Sequence, residues 1–278
     1  MKNEILDDIT GYIDFLRMSG YFVMLSCFDE CFGDILPTLL EYEVHCVPIC
    51  AYLKSYPRLM KRCVNNKRML TEKAPENPYY SCCYAGVEEY VYPITDGGKI
   101  IMCVNISGYR GNTEKSKKLS RLVSRYCGAD FDTLYGSLSD EPVDAQMIEK
   151  MIRPMEYMIK RLHAACEKEN SYMSESRKIF TRALKFIYDN YMSNISCGDV
   201  AAAVSYSEAY LRRVFKKECG ISIMKYINKV RCEQAEYMLR TTDLGITEIA
   251  YSCGFSDSNY FSTAFKNFSG VCPKKYRG

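Results

Sequence analysis

DVAAAVSYS, at Asp199–Ser207, and EIAYSCGFS, at Glu248–Ser256, are two copies of one pattern that begin 49 residues apart. One residue is inserted in the second copy, and the match then continues at an offset of about 50, so that Lys216 corresponds to Lys266. Each copy predicts a short apolar helix, a tight turn and a longer helix.

This order of elements is typical of a helix-turn-helix, whose second helix enters the major groove of DNA. Gly254 is expected to supply the positive φ of the second turn, whereas the first copy has Ser205 there, at some cost in stability. Four residues are predicted to cap the N-termini of the helices: Ser196, paired with Asp199 three residues later, Ser207, Thr247 and Ser256.

Between the copies, residues 222–240 carry apolar side chains at helical spacing. One helix of this length would fix the distance between two reading helices, which could then enter successive major grooves about 34 Å apart. The predicted ranges are 196–218 for the first motif, 222–240 for the linking helix and 246–269 for the second motif.

The second copy and its flanks carry a specific set of residues: Arg231, Ala235, Leu239, Ile246-Thr247-Glu248-Ile249-Ala250, Gly254-Phe255-Ser256-Asp257, Tyr260-Phe261, Phe265-Lys266, Gly270 and Pro273-Lys274-Lys275-Tyr276-Arg277. This set resembles the DNA-binding domain of AraC/XylS-type transcription regulators and covers roughly the last hundred residues. The resemblance implies an all-α DNA-binding domain over 171–278 with two helix-turn-helix motifs. The alternative is a helical bundle with a fortuitous repeat.

The second helix of each copy is predicted to present its polar face to DNA. Arg212 or Arg213 can contact the O6 and N7 of a guanine, and Asn259 can pair with the edge of an adenine. The remaining predicted base-side residues are Ala209, Tyr210, Ser258, Ser262 and Thr263, and the predicted phosphate contacts are Lys216, Lys217, Lys266 and Lys274. The alternative for each residue is a solvated helix face without a DNA contact.

The composition allows two domains and divides the charge unevenly between them. The chain has 278 residues, is 47% hydrophobic and carries a formal net charge of +3. From Ser171 onward there are 16 Lys and Arg against 10 Asp and Glu, whereas the first 170 residues have 21 against 24. A basic C-terminal part and a slightly acidic N-terminal part suit a DNA reader joined to a domain that avoids DNA.

The N-terminus and the cysteines predict a cytoplasmic protein. No run of eighteen apolar residues occurs, and Met1–Glu4 leads into an amphipathic helix instead of a signal-peptide core. Without an export signal, the 15 cysteines are expected to be free thiols in a reducing compartment.

The first 127 residues predict an α+β domain with an antiparallel sheet. Helices are expected over 5–18, near Pro37, over about 57–73 and over 115–126, and strands over 21–27, 78–84, 87–94 and 99–107. Asp96-Gly97-Gly98 predicts a hairpin between the last two strands.

A second resemblance lies in this part: Pro48, Cys50, Pro57, Cys63, Tyr80, Cys83, Ala85-Gly86, Glu88, Pro93-Ile94, Gly98 and Gly108 are similar to the PocR-type ligand-binding domain, a PAS-like sensory module. The resemblance covers about residues 1–127 and implies sensing of a small molecule, with hydrocarbon derivatives such as diols proposed for the family. Where that family often has Cys-His-Ala-Gly, this chain has Cys83-Tyr84-Ala85-Gly86, and Gly108-Tyr109 replaces its usual Gly-Gln. Because of these departures, the identity of the ligand does not carry over.

Residues 128–142 are polar and acidic and predict a linker, and residues 143–169 predict one long amphipathic helix. This helix could connect the two domains or form the seam of a homodimer. The alternative is a helix packed on its own domain.

A cleft on the N-terminal sheet is predicted to bind the effector through some or all of seven residues: Cys50, Tyr52, Cys63, Tyr80, Cys83, Tyr84 and Tyr92. The competing hypothesis is a metal or redox sensor in which Cys50, Cys63 and Cys83 supply thiolates. Metal binding is the less favoured of the two because Cys82-Cys83 are adjacent and no Cys-x-x-Cys pair occurs. His45 and His163 are expected to be too far apart to complete a site.

The chain is predicted to be a regulator and not an enzyme. The related DNA-binding module also occurs fused to a DNA-repair domain with a zinc-bound cysteine, but the four metal-spaced cysteines that such a domain needs are absent from this sequence. No phosphate-binding glycine loop or Ser-His-Asp motif is recognisable. The expected partners are a double-stranded DNA operator, a small-molecule effector, a second copy of the chain and RNA polymerase.

Overall fold

A computed structural model of the chain describes residues 2–277 apart from 27–28, 34, 44–46, 55, 57, 60–61, 64–65, 67–74, 143, 172 and 242–243. Most of the helix predicted over 57–73 lies outside the described residues, as do Cys27 and His45. The chain divides into two compact units, which cover Met1–Leu53 with Lys61–Ser171, and Lys54–Met60 with Tyr172–Gly278.

The first unit combines one sheet with helices. Its helices are α1 (Lys2–Met18), a 3₁₀ turn (Glu30–Phe32), α2 (Leu36–Glu41), α3 (Pro48–Lys54), α4 (Glu114–Cys127), α5 (Ala129–Gly136) and α6 (Ala145–Asn170), and its strands are β1 (Phe22–Ser26), β2 (Tyr79–Cys82), β3 (Val87–Asp96) and β4 (Lys99–Arg110). The strands form an antiparallel sheet in the order β1-β4-β3-β2. The prediction of a mixed domain with an antiparallel sheet is therefore confirmed.

The hairpin between β3 and β4 sits where the sequence places it. Asp96 pairs with Lys99 across a two-residue loop, and both loop glycines have positive φ, +55° at Gly97 and +78° at Gly98. Two successive residues with positive φ make the tight turn that matches the twist of paired strands.

Residues 128–170 belong to the first unit instead of forming a linker. Helix α5 buries the Phe131 side chain completely. The sequence did not predict this helix because most residues around Phe131 are polar. Helix α6 packs against α1 and the sheet and buries the apolar face predicted from its periodicity, which comprises Ile148, Ile152, Met155, Ile159 and Leu162. The alternative of a helix packed on its own domain is therefore the one observed, and this face is not available as a dimer seam.

The second unit is helical. Its elements are α7 (Glu175–Asn190), α8 (Cys197–Ala203), α9 (Glu208–Cys219), α10 (Ile223–Thr241), α11 (Ile246–Ser252), α12 (Ser258–Ser269) and α13 (Pro273–Arg277). We call α8–α9 the first helix pair and α11–α12 the second helix pair. Helix α10 lies between them and contributes to both cores: Ile223 and Ile227 pack with the first pair, and Ala235 and Leu239 with the second.

The N-terminal caps of the first pair are as predicted. Ser196 and Asp199 form a reciprocal capping box, in which the Ser196 amide donates to Asp199 Oδ2 at 2.7 Å and the Asp199 amide donates to Ser196 Oγ at 3.2 Å. Ser207 Oγ accepts from the Tyr210 amide at 3.3 Å at the start of α9.

Both predicted caps of the second pair are wrong by one or two positions. Thr247 lies inside α11; Gly245 takes the N-cap position, and its amide donates to Glu248 Oε2 at 2.7 Å. Asp257, not Ser256, caps α12 and accepts from the Tyr260 amide at 2.6 Å. A carboxylate satisfies these amides as well as a hydroxyl does, so the sequence alone left the choice open.

The turns of the two pairs have the predicted left-handed backbone at matching positions. Gly254 has φ of +88°, and Ser205, at +61°, is the one non-glycine residue with positive φ among those described. An added Cβ at Gly254 would also lie 2.5 Å from the Tyr191 carbonyl oxygen and 2.7 Å from Met192 Cα. Gly254 therefore meets both a conformational and a steric requirement.

We predict that Gly254→Ala destabilises the second unit by more than about 3 kcal/mol, because left-handed strain adds to a clash with backbone. Gly220→Ala is the matched control, since Gly220 has φ of +76° but no atom within 4 Å of an added Cβ. The control should lose about 1–2 kcal/mol, the cost of left-handed strain alone. Urea denaturation followed by circular dichroism measures both, and equal losses would contradict the steric role of Gly254.

Candidate DNA-binding surface and sensory face

The two helix pairs are joined through a buried arginine on α10. Arg231 is 6% exposed; its Nε donates to the Tyr191 carbonyl at 2.8 Å and its Nη2 to the Ser193 carbonyl at 2.9 Å. Its guanidinium also lies 5.6 Å from the ring centroid of Phe255, in the turn of the second pair. Arg231 thereby holds the segment that leads into the first pair against the second pair.

Helix α9 exposes the face that the sequence predicts as a reading surface. Ala209, Arg212, Arg213, Lys216 and Lys217 are exposed and Tyr210 is half-buried. Arg212 Nη2 is 2.8 Å from Glu208 Oε2, whereas the Arg213 guanidinium lies over the Tyr210 ring at 5.7 Å. Arg212 must therefore leave an ion pair before it can contact a base.

Helix α12 exposes Asn259, Thr263 and Lys266 and leaves Ser258 and Ser262 half-buried. The hydroxyl groups of Ser262 and Thr263 donate to the carbonyls of Ser258 and Asn259, at 2.9 and 3.2 Å. These hydroxyls keep acceptor lone pairs but have already used their proton. Among these five residues, Asn259 has a side-chain amide that can both donate and accept.

In the sensory unit, four of the seven predicted ligand residues lie near one another. The pKa of Cys83 is raised well above its usual value, first by burial and then by the neighbouring thiols of Cys50 and Cys63. Burial followed by the same three thiols raises the pKa of Tyr84. Tyr52 lies on α3 and donates from its hydroxyl to the Cys127 carbonyl at 3.3 Å.

The other two predicted ligand residues, Tyr80 and Tyr92, point toward α6. Tyr80 lies edge-on to Tyr90 at 4.9 Å between centroids, and the Tyr92 hydroxyl donates to Glu156 on α6 at 2.9 Å. Tyr92 also lines an open surface depression of about 370 Å³ with Arg153, Tyr157 and Lys160. The structure therefore does not bring all seven predicted residues into one cleft.

The opposite face of the sheet carries a buried polar row that sequence reasoning missed. By strand register, five buried polar side chains share this face: Ser26, Ser81, Glu89, Asn105 and Ser107. Ser26 Oγ donates to Asn105 Oδ1 at 3.0 Å, and Asn105 Nδ2 donates to Glu89 Oε2 at 3.2 Å. The signal was present in the sequence, since Asn105 and Ser107 interrupt an apolar strand at alternate positions.

Six of the thirteen cysteines that the structure describes are buried as small core residues. Each of the thirteen cysteines that the structure describes is a free thiol. Burial, followed by the nearby Glu233, raises the pKa of Cys232 to about 12, so this thiol stays protonated at neutral pH. Among the described residues, Cys50, Cys63 and Cys83 do not form a group whose ligand atoms lie within 4.8 Å of one another, whereas His163 belongs to two such groups. His45 lies outside the described residues, so the expectation that the two histidines are too few and too far apart to complete a site stays a prediction, but acidic residues and a cysteine surround His163.

Comparison with known families accounts for both units. Residues 200–278 match a family described as a helix-turn-helix domain, and residues 38–165 match the sensory domain found in PocR. The chain is a transcription regulator with an AraC-type DNA-binding domain and a PocR-type sensory domain. The regulator's domains and its relatives are those of transcription factors and not of enzymes.

Two curated relatives match different amounts of the regulator. The Msm operon regulatory protein of Streptococcus mutans is 35% identical over 122 residues, which cover 44% of this chain and 41% of that protein. The regulatory protein PocR of Salmonella typhimurium is 23% identical over all of this chain and 94% of its own length. The chain thus spans less than half of the Msm protein but nearly all of PocR.

Among solved structures, the C-terminal domain of the response regulator yesN from Fusobacterium nucleatum is 33% identical, with a TM-score of 0.35. The match covers 38% of this chain and all of that domain.

Within the described part of the regulator, no helix is long and apolar enough to cross a bilayer.

We predict that Arg231→Met destabilises the second unit by about 2–4 kcal/mol, because two buried carbonyls lose a charged donor. Lys229→Met, an exposed change on the same helix, is the control and should alter stability by less than about 0.5 kcal/mol. Urea denaturation of the full-length protein measures both changes. A loss at position 231 no larger than at 229 would show that the buried guanidinium does not hold the two pairs together.

Proposed function

We propose that the protein is a ligand-responsive, sequence-specific regulator that binds its operator through two helix-turn-helix motifs, the first and second helix pairs. The proposal rests on the attachment of both helix pairs to α10. The N-terminal part of α10 shares a hydrophobic core with the first pair, and its C-terminal part shares one with the second pair. In this proposal α9 and α12 enter successive major grooves of one duplex in the cytoplasm.

We assign sequence reading to Arg213 and Asn259 and backbone contact to the lysines. Arg213 is exposed and rests on a tyrosine ring, so its guanidinium is partly ordered before DNA arrives. Lys216, Lys217 and Lys266 are exposed in the last turns of α9 and α12, and Lys274 is exposed on α13. A lysine ammonium is a point charge that suits phosphates more than base edges.

We predict that Arg213→Ala and Asn259→Ala each reduce operator affinity by about 1–3 kcal/mol and relax the preference at one base pair. Lys216→Ala is the comparison variant and should weaken binding to all sequences alike. The slope of log affinity against log salt concentration should become shallower by about one, because one phosphate contact is lost. Selection from random DNA followed by titration at several salt concentrations measures affinity, preference and salt slope.

Arg212→Ala tests the choice between the two adjacent arginines, and its effect should be smaller than that of Arg213→Ala because Arg212 already pairs with Glu208. Unchanged affinity and base preference in both Arg213→Ala and Asn259→Ala would show that another face of the helices reads DNA.

We further propose that the effector binds in the PAS-like sensory unit over the polar row Ser26, Ser81, Glu89, Asn105 and Ser107. Hydroxyl, amide and carboxylate groups are costly to bury unless they are hydrogen-bonded, and they match the hydroxyl groups of a small ligand. This favours the hydroxylated hydrocarbon class, such as diols, that the PocR resemblance implies. The cluster of Cys50, Cys63, Cys83 and Tyr84 is proposed as an adjoining apolar wall.

Control of DNA binding requires that the effector bind one arrangement of the regulator more tightly than another. A homodimer and a contact with RNA polymerase are part of the same proposal. Because the apolar face of α6 is buried, dimer contacts would have to come from other surfaces, such as the exposed Met147 and Tyr157 on that helix.

We predict that a panel of small diols and related hydrocarbon derivatives contains a compound that raises the melting temperature of the full-length protein. Asn105→Ala and Ser107→Ala should each weaken its binding about tenfold, since each loses one hydrogen bond to the ligand. Tyr92→Phe changes the opposite face and serves as the control, with affinity unchanged within about twofold. If Tyr92→Phe abolished binding of the compound and Asn105→Ala did not, the effector site would lie on the face of the sheet that packs against α6.

A further inference from the structure

His163 lies on α6 in a buried acidic environment that the proposed sensing and DNA reading do not use. The residue is 6% exposed. Its Nδ1 is 3.1 Å from Asp96 Oδ2 at the β3–β4 hairpin, and its Nε2 is 3.8 Å from Asp29 Oδ1 in the segment after β1. Glu167, one turn along α6, approaches Nδ1 at 3.8 Å.

Asp29 and Cys31 face His163 from a well-defined turn. Asp29 caps the 3₁₀ helix by accepting from the Cys31 amide at 2.9 Å, and Lys99 forms an ion pair with its other oxygen. One ligand atom from each of Asp29, Cys31 and His163 lies within 4.8 Å of the other two. Three donors of different kinds therefore converge from two separate segments of the chain.

Carboxylates of Asp29 and Glu167 lie near Cys31, and the Lys99 ammonium pairs with Asp29 on the same side. Burial, followed by the nearby Asp29 and Cys166, with a further contribution from Glu167, raises the pKa of Cys31 far above its ordinary value. A carboxylate at this position would favour a bound cation, and a thiol that binds a metal ion gives up its proton on binding. Cys166 is buried on α6 three residues after His163 but is not part of this group of three ligand atoms.

We propose that Asp29, Cys31 and His163 bind one divalent transition-metal ion of the zinc type, through Oδ1, Sγ and Nε2. A carboxylate, a thiolate and an imidazole form a donor set that suits zinc. His163 then keeps Nδ1–H for Asp96, and a carboxylate on the second nitrogen is the usual way in which a metal-binding histidine is oriented. The ion would join the segment after β1 to α6, and it is distinct from the metal hypothesis at Cys50, Cys63 and Cys83.

The test uses full-length protein, purified under reducing conditions, stripped with a chelator and titrated with Co²⁺ as a spectroscopic probe. We expect one equivalent per chain, a thiolate-to-cobalt charge-transfer band, and displacement of Co²⁺ by Zn²⁺. Cys31→Ser should abolish the band, and Asp96→Asn should retain it while weakening binding about 10–100-fold. Cys83→Ser is the matched control and should keep both the band and the affinity.

The proposal is overturned if no stoichiometric Co²⁺ binds, if Cys31→Ser keeps the charge-transfer band, or if Cys83→Ser removes it. Circular dichroism and operator binding of each variant show whether it is folded. Should His163→Gln fail to fold, Cys31→Ser and Asp96→Asn, which keep the histidine, still decide the outcome.

Discussion

The DNA-binding unit depends on the contact of the backbone at Tyr191–Ser193 with α10 and with the turn of the second helix pair. Arg231 donates to the carbonyls of Tyr191 and Ser193, and the turn at Gly254 packs directly on Tyr191 and Met192. Without this contact, the two helix pairs would share only α10, and bending of that helix would change their separation. In the proposed complex with DNA, rigid spacing matters because α9 and α12 must both match the helical repeat of one duplex.

The sensory unit shows a different balance between stability and function. Its sheet buries Glu89 and Asn105 in a hydrogen-bonded row where apolar side chains would pack without a desolvation cost. We propose that this row serves recognition of the effector; a buried polar network can also specify one arrangement of the core when its members are hydrogen-bonded. On the other face, the carboxylates of Glu149 and Glu156 on α6 accept from Tyr90 and Tyr92 and fix that helix on the sheet.

Much of the second unit could be predicted from the sequence because its helices are specified by local patterns that occur twice in the chain. Apolar spacing, the Ser196–Asp199 pair and the repeat itself place the helices of both pairs. The caps at Gly245 and Asp257 were missed, since several neighbouring polar residues can satisfy the same amides. The two faces of the sensory sheet were predicted less well, because strand register decides which side chains share a face, and a shift of one residue reverses the outcome.

The sequence by itself determined the four strands of the sheet, the helices of the second unit, the two-part division of charge, and the exposed polar faces of α9 and α12. These features follow from periodicity and composition, which act over a few residues. Only the tertiary structure decided that Arg231 joins the two pairs, that Tyr80 and Tyr92 face α6, and that His163 meets Asp29 and Cys31. Each of these contacts joins residues that are distant in the chain. It depends on tertiary packing, which the local sequence pattern does not predict.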